Sequence, residues 1–189
     1  MTGRSTLALA AFVAVAWLSR APLAPPRLFY FDSVNYALAL DHFNPALHQP
    51  QPPGSPFYVL LCRGLRLLAG APEPTFLLSG ILAAALSAWL LWTLARRLYG
   101  ESAAWAAALL LLLHPVNWLA TLTNQARAYL AVASAGVAYL ALRASAREAP
   151  VHWLYSASLL AGVLGGFRAE APILLAPLDR KSTRLNSSH

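Results

Sequence analysis

Carboxylates are scarce in this 189-residue chain, which has seven Asp and Glu against fourteen Lys and Arg. All charged residues together make up 11%, where a soluble domain carries about a quarter. With 58% hydrophobic residues and a mean hydropathy of +0.53, that deficit excludes an ordinary soluble domain and points to a bilayer. The single cysteine, Cys62, sits among leucines, so neither a disulfide framework nor a cysteine metal set is possible within the chain. A basic patch with interleaved aromatics is also missing. The arginines are scattered as helix-end pairs, which argues against nucleic acid and for contact with membrane lipids. There is no internal repeat and no low-complexity linker.

What the chain does have is long apolar runs. A helix crosses the hydrocarbon core with about 20 mostly apolar residues, and runs at 6–18, 75–94, 103–122, 129–142 and 153–167 are candidates, the first and last two needing flanking residues. Trp89, Trp92, Trp105, Trp118 and Trp153 lie toward the ends of their runs, where indole rings settle at the headgroup level. The first run is read as an uncleaved helix, because Trp17-Leu18-Ser19-Arg20 is a poor signal-peptidase site. The fold expected is all-α, a polytopic transmembrane bundle with a long external first loop.

The run 57–70 is short and carries Arg63 and Arg66 on about one face, so it is read as interfacial or re-entrant. That choice leaves Arg96-Arg97 and Arg143/Arg147 on the cytoplasmic side with the N-terminus, as the positive-inside tendency prefers. A further run, 171–178, begins and stops at a polar string, DRKSTRLNSSH, that resembles the translation of a sequencing-adapter oligonucleotide. Residues 1–178 are therefore expected to be the N-terminal part of a longer membrane protein and 179–189 a non-native tail. Without Asp179, Arg180, Lys181 and Arg184 the formal charge falls from +7 to +5.

Chemistry is concentrated in residues 29–58, which hold two of the seven acids, Asp32 and Asp41, with His42, His48 and a Pro-Pro-Gly corner. Asp32, flanked by aromatics just past the first helix, can serve as a general base for an acceptor hydroxyl or amine. It equally suits the N-cap of an interfacial helix over 33–40. Asp41, His42 and His48 are of the right type for a divalent metal ion but lack a ligand spacing, and a solvated loop is the better reading. The prolines of 50–56 make a stiff corner. Arg127 and Arg168, at membrane edges, can grip a phosphate bidentately or anchor to lipid headgroups, and Glu170 stands beside Arg168 as an ion-pair partner or part of a clamp. His114, before Pro115, marks a packing or kink position.

The order of these features resembles the GT-C superfamily of polytopic glycosyltransferases, in particular bacterial protein O-mannosyltransferases and lipid A aminoarabinose transferases. A D-E-x-x-Y-like motif has its counterpart in Asp32-Ser-Val-Asn-Tyr36, and an H/K-P-P-x-x-Y-like corner in Gln51-Pro-Pro-Gly-Ser-Pro-Phe-Tyr58. Arg96-Arg97-Leu-Tyr-Gly100, Ala126-Arg-Ala-Tyr129 and Gly165-Gly-Phe-Arg168 match later signatures. The resemblance implies transfer of a sugar from a polyprenyl-phosphate donor to a lipid, protein or glycan acceptor at the outer face of a bacterial inner membrane. Asp32 would be catalytic, and Tyr36, Gln51, Arg127, Arg168 and Glu170 would bind substrate. The chain departs from the pattern at Ser33, Gln51 and Tyr129, each of which removes a candidate metal or phosphate contact.

A transporter or lipid flippase is the rival reading, and would show broken helices with polar groups near mid-bilayer. A noncatalytic membrane scaffold is the third.

Overall fold

A computed structural model describes residues 3–28, 30–123, 126–146, 149–169, 171 and 173. Glu170, the pair Arg147 and Glu148, and the tail 179–189 lie outside the described residues. Among the described residues the fold is all-α: α1 (Gly3–Arg20), α2 (Phe31–Asp41), α3 (Pro56–Ala69), α4 (Pro72–Tyr99), α5 (Glu101–Leu113), α6 (Pro115–Leu122), α7 (Tyr129–Ala144) and α8 (His152–Gly165).

Local chemistry sets the boundaries. Pro56, Pro72 and Pro115 stand at the first helical position, where a missing N–H costs nothing. Glu73 and Glu101 sit in first turns and Arg96-Arg97 in a last turn, each complementing the helix dipole. Gly100 separates α4 from α5 at φ 89°, and the Arg96–Glu101 ion pair, 2.7 Å, closes that corner.

The long helix α4 is the axis of the bundle, with α1, α3, α5, α6 and α7 packed along it. Its contact faces are lined with small residues. Ala8, Phe12 and Ala16 of α1 recur every four positions and meet Ala84, Ala85, Ala88 and Trp92 of α4 and Ala104, Ala108 and Leu112 of α5. Alanine faces let backbones approach closely, as membrane helices require where lipid is as apolar as the interface itself. Gly80 marks the tightest approach: a Cβ there would lie 1.8 Å from the Thr121 carbonyl oxygen on α6.

By length and apolar composition α1, extended to Leu23, and α4 suffice to cross a membrane, and α5 with α6 makes a third span if the bent pair counts as one. The run 103–122, expected as a single span, breaks at His114-Pro115 with a bend of 54°. The cause is steric: the residue before proline is driven to extended backbone, and His114 has ψ 127°. Helices α7 and α8 form where expected but have only 16 and 14 residues, about 24 and 21 Å of rise.

The arginines of α3 have local partners. Arg63 donates to the carbonyls of Leu40 and Ala39, both at 3.0 Å, closing the last turn of α2, and Arg66 pairs with Asp41 at 2.7 Å. With Leu60, Leu67 and Leu68 exposed, α3 keeps an apolar face outside the bundle.

Candidate active site

Four separate segments meet around one cavity of about 200 Å³. Helix α2 contributes Asp32 and Tyr36. The corner before α3 contributes Gln51, Pro52, Pro53 and Ser55. A 3-10 turn, Ala126–Ala128, contributes Arg127, and the segment after α8 contributes Arg168. All the described residues expected to be catalytic or substrate-binding thus lie on one wall or another of the same pocket.

Asp32 occupies the first turn of α2, one residue inside the helix, and the N-cap is Tyr30 rather than Asp32. The capping reading is corrected accordingly. A carboxylate in the first turn still complements the helix dipole, and Asp32 remains half-buried with no hydrogen bond to another described residue. Tyr36, four residues on, lies on the same face. Its hydroxyl donates to Ser55 Oγ at 3.0 Å, and burial pushes its phenol above the ordinary value. The Ser55 hydrogen bond and the Arg168 charge oppose that rise, while the Asp32 charge reinforces it, so both ions lie within electrostatic reach of the ring.

Ser55 itself adopts left-handed backbone, φ 48°, next to Gly54 at φ 109°. Such strain in a non-glycine residue is found where surrounding contacts over-determine the chain. Here the contacts are Tyr36 above and the α8 terminus beside it: Phe57 N–H donates to the Gly166 carbonyl at 3.0 Å, and a Cβ on Gly166 would collide with the Phe57 ring. That junction carries Arg168 to the pocket. Below lies an aromatic floor in which Tyr58 packs edge-on against Tyr36 and Tyr129, with centroids 4.9 and 5.9 Å apart, and Phe167 stacks at 4.7 Å from Tyr129. Tyr129 lies in this floor, its hydroxyl donating to the Ser79 carbonyl at 3.1 Å.

Two residues that the sequence did not mark as structural ties, Ser33 and Arg20, hold the arrangement. Ser33, 2% exposed, donates to the Thr123 carbonyl at 3.0 Å and so ties the Asp32 helix to the exit of α6, four residues before Arg127. Arg20 is fully buried at the break between α5 and α6. Its Nε donates to Thr121 Oγ1 at 2.7 Å, Nη2 to the Leu112 carbonyl at 2.9 Å and Nη1 to Ser19 Oγ at 2.9 Å. A helix interrupted by proline leaves carbonyls without partners, and Arg20 supplies the donors. The readable signal was the pairing of Pro115 with an arginine at the end of another apolar run.

A second, more apolar cavity of about 530 Å³ lies between α6 and α7, walled by Leu111, His114, Val116, Leu119 and Ala131. Arg127 belongs to both cavities.

Asp41, His42 and His48 stand apart from the pocket. Asp41 is engaged by Arg66 and both histidines are exposed. Among the described residues no three His, Cys, Asp or Glu side chains gather in a way suited to a metal ion, and Asp32 is the one carboxylate there that lines the pocket.

No curated protein and no solved structure matches the chain. The family described as dolichyl-phosphate-mannose-protein mannosyltransferase does match, over residues 48–178, a stretch that contains Gln51, Arg127 and Arg168 and starts after Asp32 and Tyr36. That covers well over half of the sequence, and with an all-α apolar bundle it identifies the chain as a member of this family of mannosyltransferase-type membrane glycosyltransferases.

Proposed function

We propose that the protein transfers a sugar from a polyprenyl-phosphate carrier to an acceptor hydroxyl or amine at the outer face of a bacterial inner membrane, using the pocket of Asp32, Arg127 and Arg168. The observation that carries this reading is the position of Arg127 between a polar pocket and an apolar groove. A polyprenyl-phosphate sugar has the same division: a charged, hydroxylated head and a hydrocarbon tail joined at a phosphate. The tail would lie along Val116, Leu119 and Ala131, the phosphate at Arg127 and the sugar toward Asp32.

In this arrangement Asp32 takes the proton of the acceptor as its oxygen or nitrogen bonds to the anomeric carbon. The bond from that carbon to the phosphate oxygen breaks, and the departing phosphate keeps the electron pair. The charge gathering on it is stabilised by Arg127 and Arg168, which suit planar, bidentate contacts to phosphate oxygens. Tyr36 and Gln51 would hydrogen-bond sugar or acceptor hydroxyls, and Glu170, outside the described residues, is the sequence neighbour that would orient Arg168. No step requires a metal ion.

The broken α5–α6 pair is the one observation favouring a transporter. Two carbonyls at the break, however, are engaged by protein donors, Leu111 by Asn117 Nδ2 and Leu112 by Arg20, rather than open to a pathway.

The test is transfer of radiolabelled sugar from polyprenyl-phosphate donors in membranes containing the protein or its Asp32→Asn variant. Removal of a general base lowers transfer about 10²- to 10⁴-fold while insertion persists. Undiminished transfer would remove Asp32 from the reaction, and no transfer from any donor would move the weight to the transporter.

A further inference from the structure

At the other end of α4 the bundle has a second polar opening, remote from the pocket. Ser5, Trp89, Trp92, Arg96, Arg97 and Tyr139 line a crevice of about 460 Å³ where α1, α4 and α7 diverge. Ser79, bonded to Tyr129 in the aromatic floor, and Arg96 are 17 residues apart on one continuous helix. At 1.5 Å per residue this is about 25 Å, most of the thickness of a hydrocarbon core of about 30 Å. The crevice therefore opens toward the membrane face opposite the transferase pocket.

Its polar groups divide into engaged and unengaged. Trp89 Nε1 donates to Ser5 Oγ at 3.2 Å, and Arg96 pairs with Glu101 while its guanidinium lies 5.0 Å from the centre of the Trp92 ring. By contrast Arg97 has no ion pair and the Tyr139 hydroxyl no hydrogen bond with a described residue. The indole N–H of Trp92, a residue 2% exposed, is buried without a partner. A buried donor without a described partner costs free energy, and Trp92 lines the same crevice as Arg97 and Tyr139.

We propose that this crevice binds the phosphate headgroup of an anionic phospholipid from the leaflet on that side, through Arg97 and Tyr139. Trp89 would pack against the glycerol and upper acyl chain. Phosphate chemistry fits because the unengaged groups are all donors and one is cationic. A lipid rather than a free phosphate fits because the walls are indole and leucine, and because basic pockets between helices at a membrane face suit lipid headgroups. This inference is independent of the transferase reading.

The experiment titrates phosphatidylglycerol, phosphatidylcholine or soluble glycerol phosphate into the detergent-solubilised protein and follows the melting temperature. The partner is an Arg97→Gln, Tyr139→Phe double variant, whose side chains lie at the rim and whose lipid-free melting temperature should match the parent. Phosphatidylglycerol is expected to give a saturable rise that phosphatidylcholine does not, with the variant needing roughly tenfold more lipid for the same rise. Equal responses to the two lipids, or an unchanged variant, would overturn the proposal. A rise with glycerol phosphate equal to that with phosphatidylglycerol would assign the crevice to free phosphate and overturn the lipid. A variant already destabilised without lipid is replaced by Arg97→Gln alone, read against the same thresholds.

Discussion

Arg20, bonded to Thr121 in the last turn of α6, and Arg127, in the 3-10 turn that follows that helix, illustrate opposite uses of the same side chain. Arg20 is fully buried, with Nε, Nη1 and Nη2 each directed at a protein oxygen within 2.9 Å. Arg127 is exposed on the rim of two cavities with no hydrogen bond to a described residue. An arginine with every guanidinium nitrogen bonded to the protein holds backbone in place, whereas one with no described partner beside a pocket is available to an anion. Composition cannot make this distinction, since both positions read as an arginine at the edge of an apolar run.

The sharpest way to break the comparison is to exchange charge for shape at Arg20. Arg20→Met retains an unbranched side chain but strands the Leu112 carbonyl, while the Thr121 hydroxyl keeps its bonds to the Asn117 and Trp118 carbonyls. One buried polar group without its partner predicts a loss of about 1–3 kcal/mol. Thermal unfolding of the purified variant should show a clear fall in melting temperature, with any surviving protein retaining its donor affinity. If Arg20 instead belonged to a substrate site, donor affinity would fall while stability held.

Arg127→Ala tests the other half. Losing a charge-assisted contact to phosphate should lower kcat/KM about 10- to 100-fold, with a higher KM for donor and an unchanged melting temperature. Arg168→Ala should act in the same direction. A variant of Arg127 that unfolds rather than losing donor affinity would place it with Arg20 and dissolve the contrast.

Much of the bundle could be read in the sequence because bilayer and proline constraints act locally. Apolar length located α1 and α4, and Pro115 marked a kink at His114, although the run 103–122 was expected to remain one span. The relation of α7 and α8 to the bilayer was less legible, since runs of this length depend on their neighbours. The grouping of Asp32, Tyr36, Gln51, Arg127 and Arg168 followed from the resemblance and not from spacing, because the five residues arrive from four segments of the chain. Ser33 shows the limit. As a departure from an acidic motif position it read as a lost contact, while its actual partner is a backbone carbonyl 90 residues away that no local pattern marks.

Ser33→Ala gives a smaller effect that lies between structure and chemistry. The Thr123 carbonyl loses its partner, costing on the order of 1 kcal/mol, and the tie between Asp32 and the chain leading to Arg127 loosens. Because small misplacements of reacting groups are costly, kcat should fall about tenfold with donor KM little changed, and Ser33→Thr, which keeps the hydroxyl, should recover most of it. An apparent kcat that falls only in proportion to lost folded protein, with the rate per folded molecule unchanged, would make Ser33 a packing residue only.

The smallest effect is expected at Asp41, which the sequence offered with His42 and His48 as a weak metal candidate. Its carboxylate lies 2.7 Å from Arg66 Nη1, and the two side chains are 62% and 31% exposed. Solvent screens such a pair, so Asp41→Asn should cost well under about 1 kcal/mol and leave sugar transfer unaltered. Transfer assays with and without a strong chelator, on parent and variant, decide the matter. A chelator-sensitive activity that the variant loses would restore Asp41 to a metal site and show that the loop after α2 does more than join two helices. Insensitivity in both would confine the chemistry to the pocket that Asp32 shares with Arg127, and would leave Arg66 with the same kind of task as Arg20: an arginine whose partner is the protein itself.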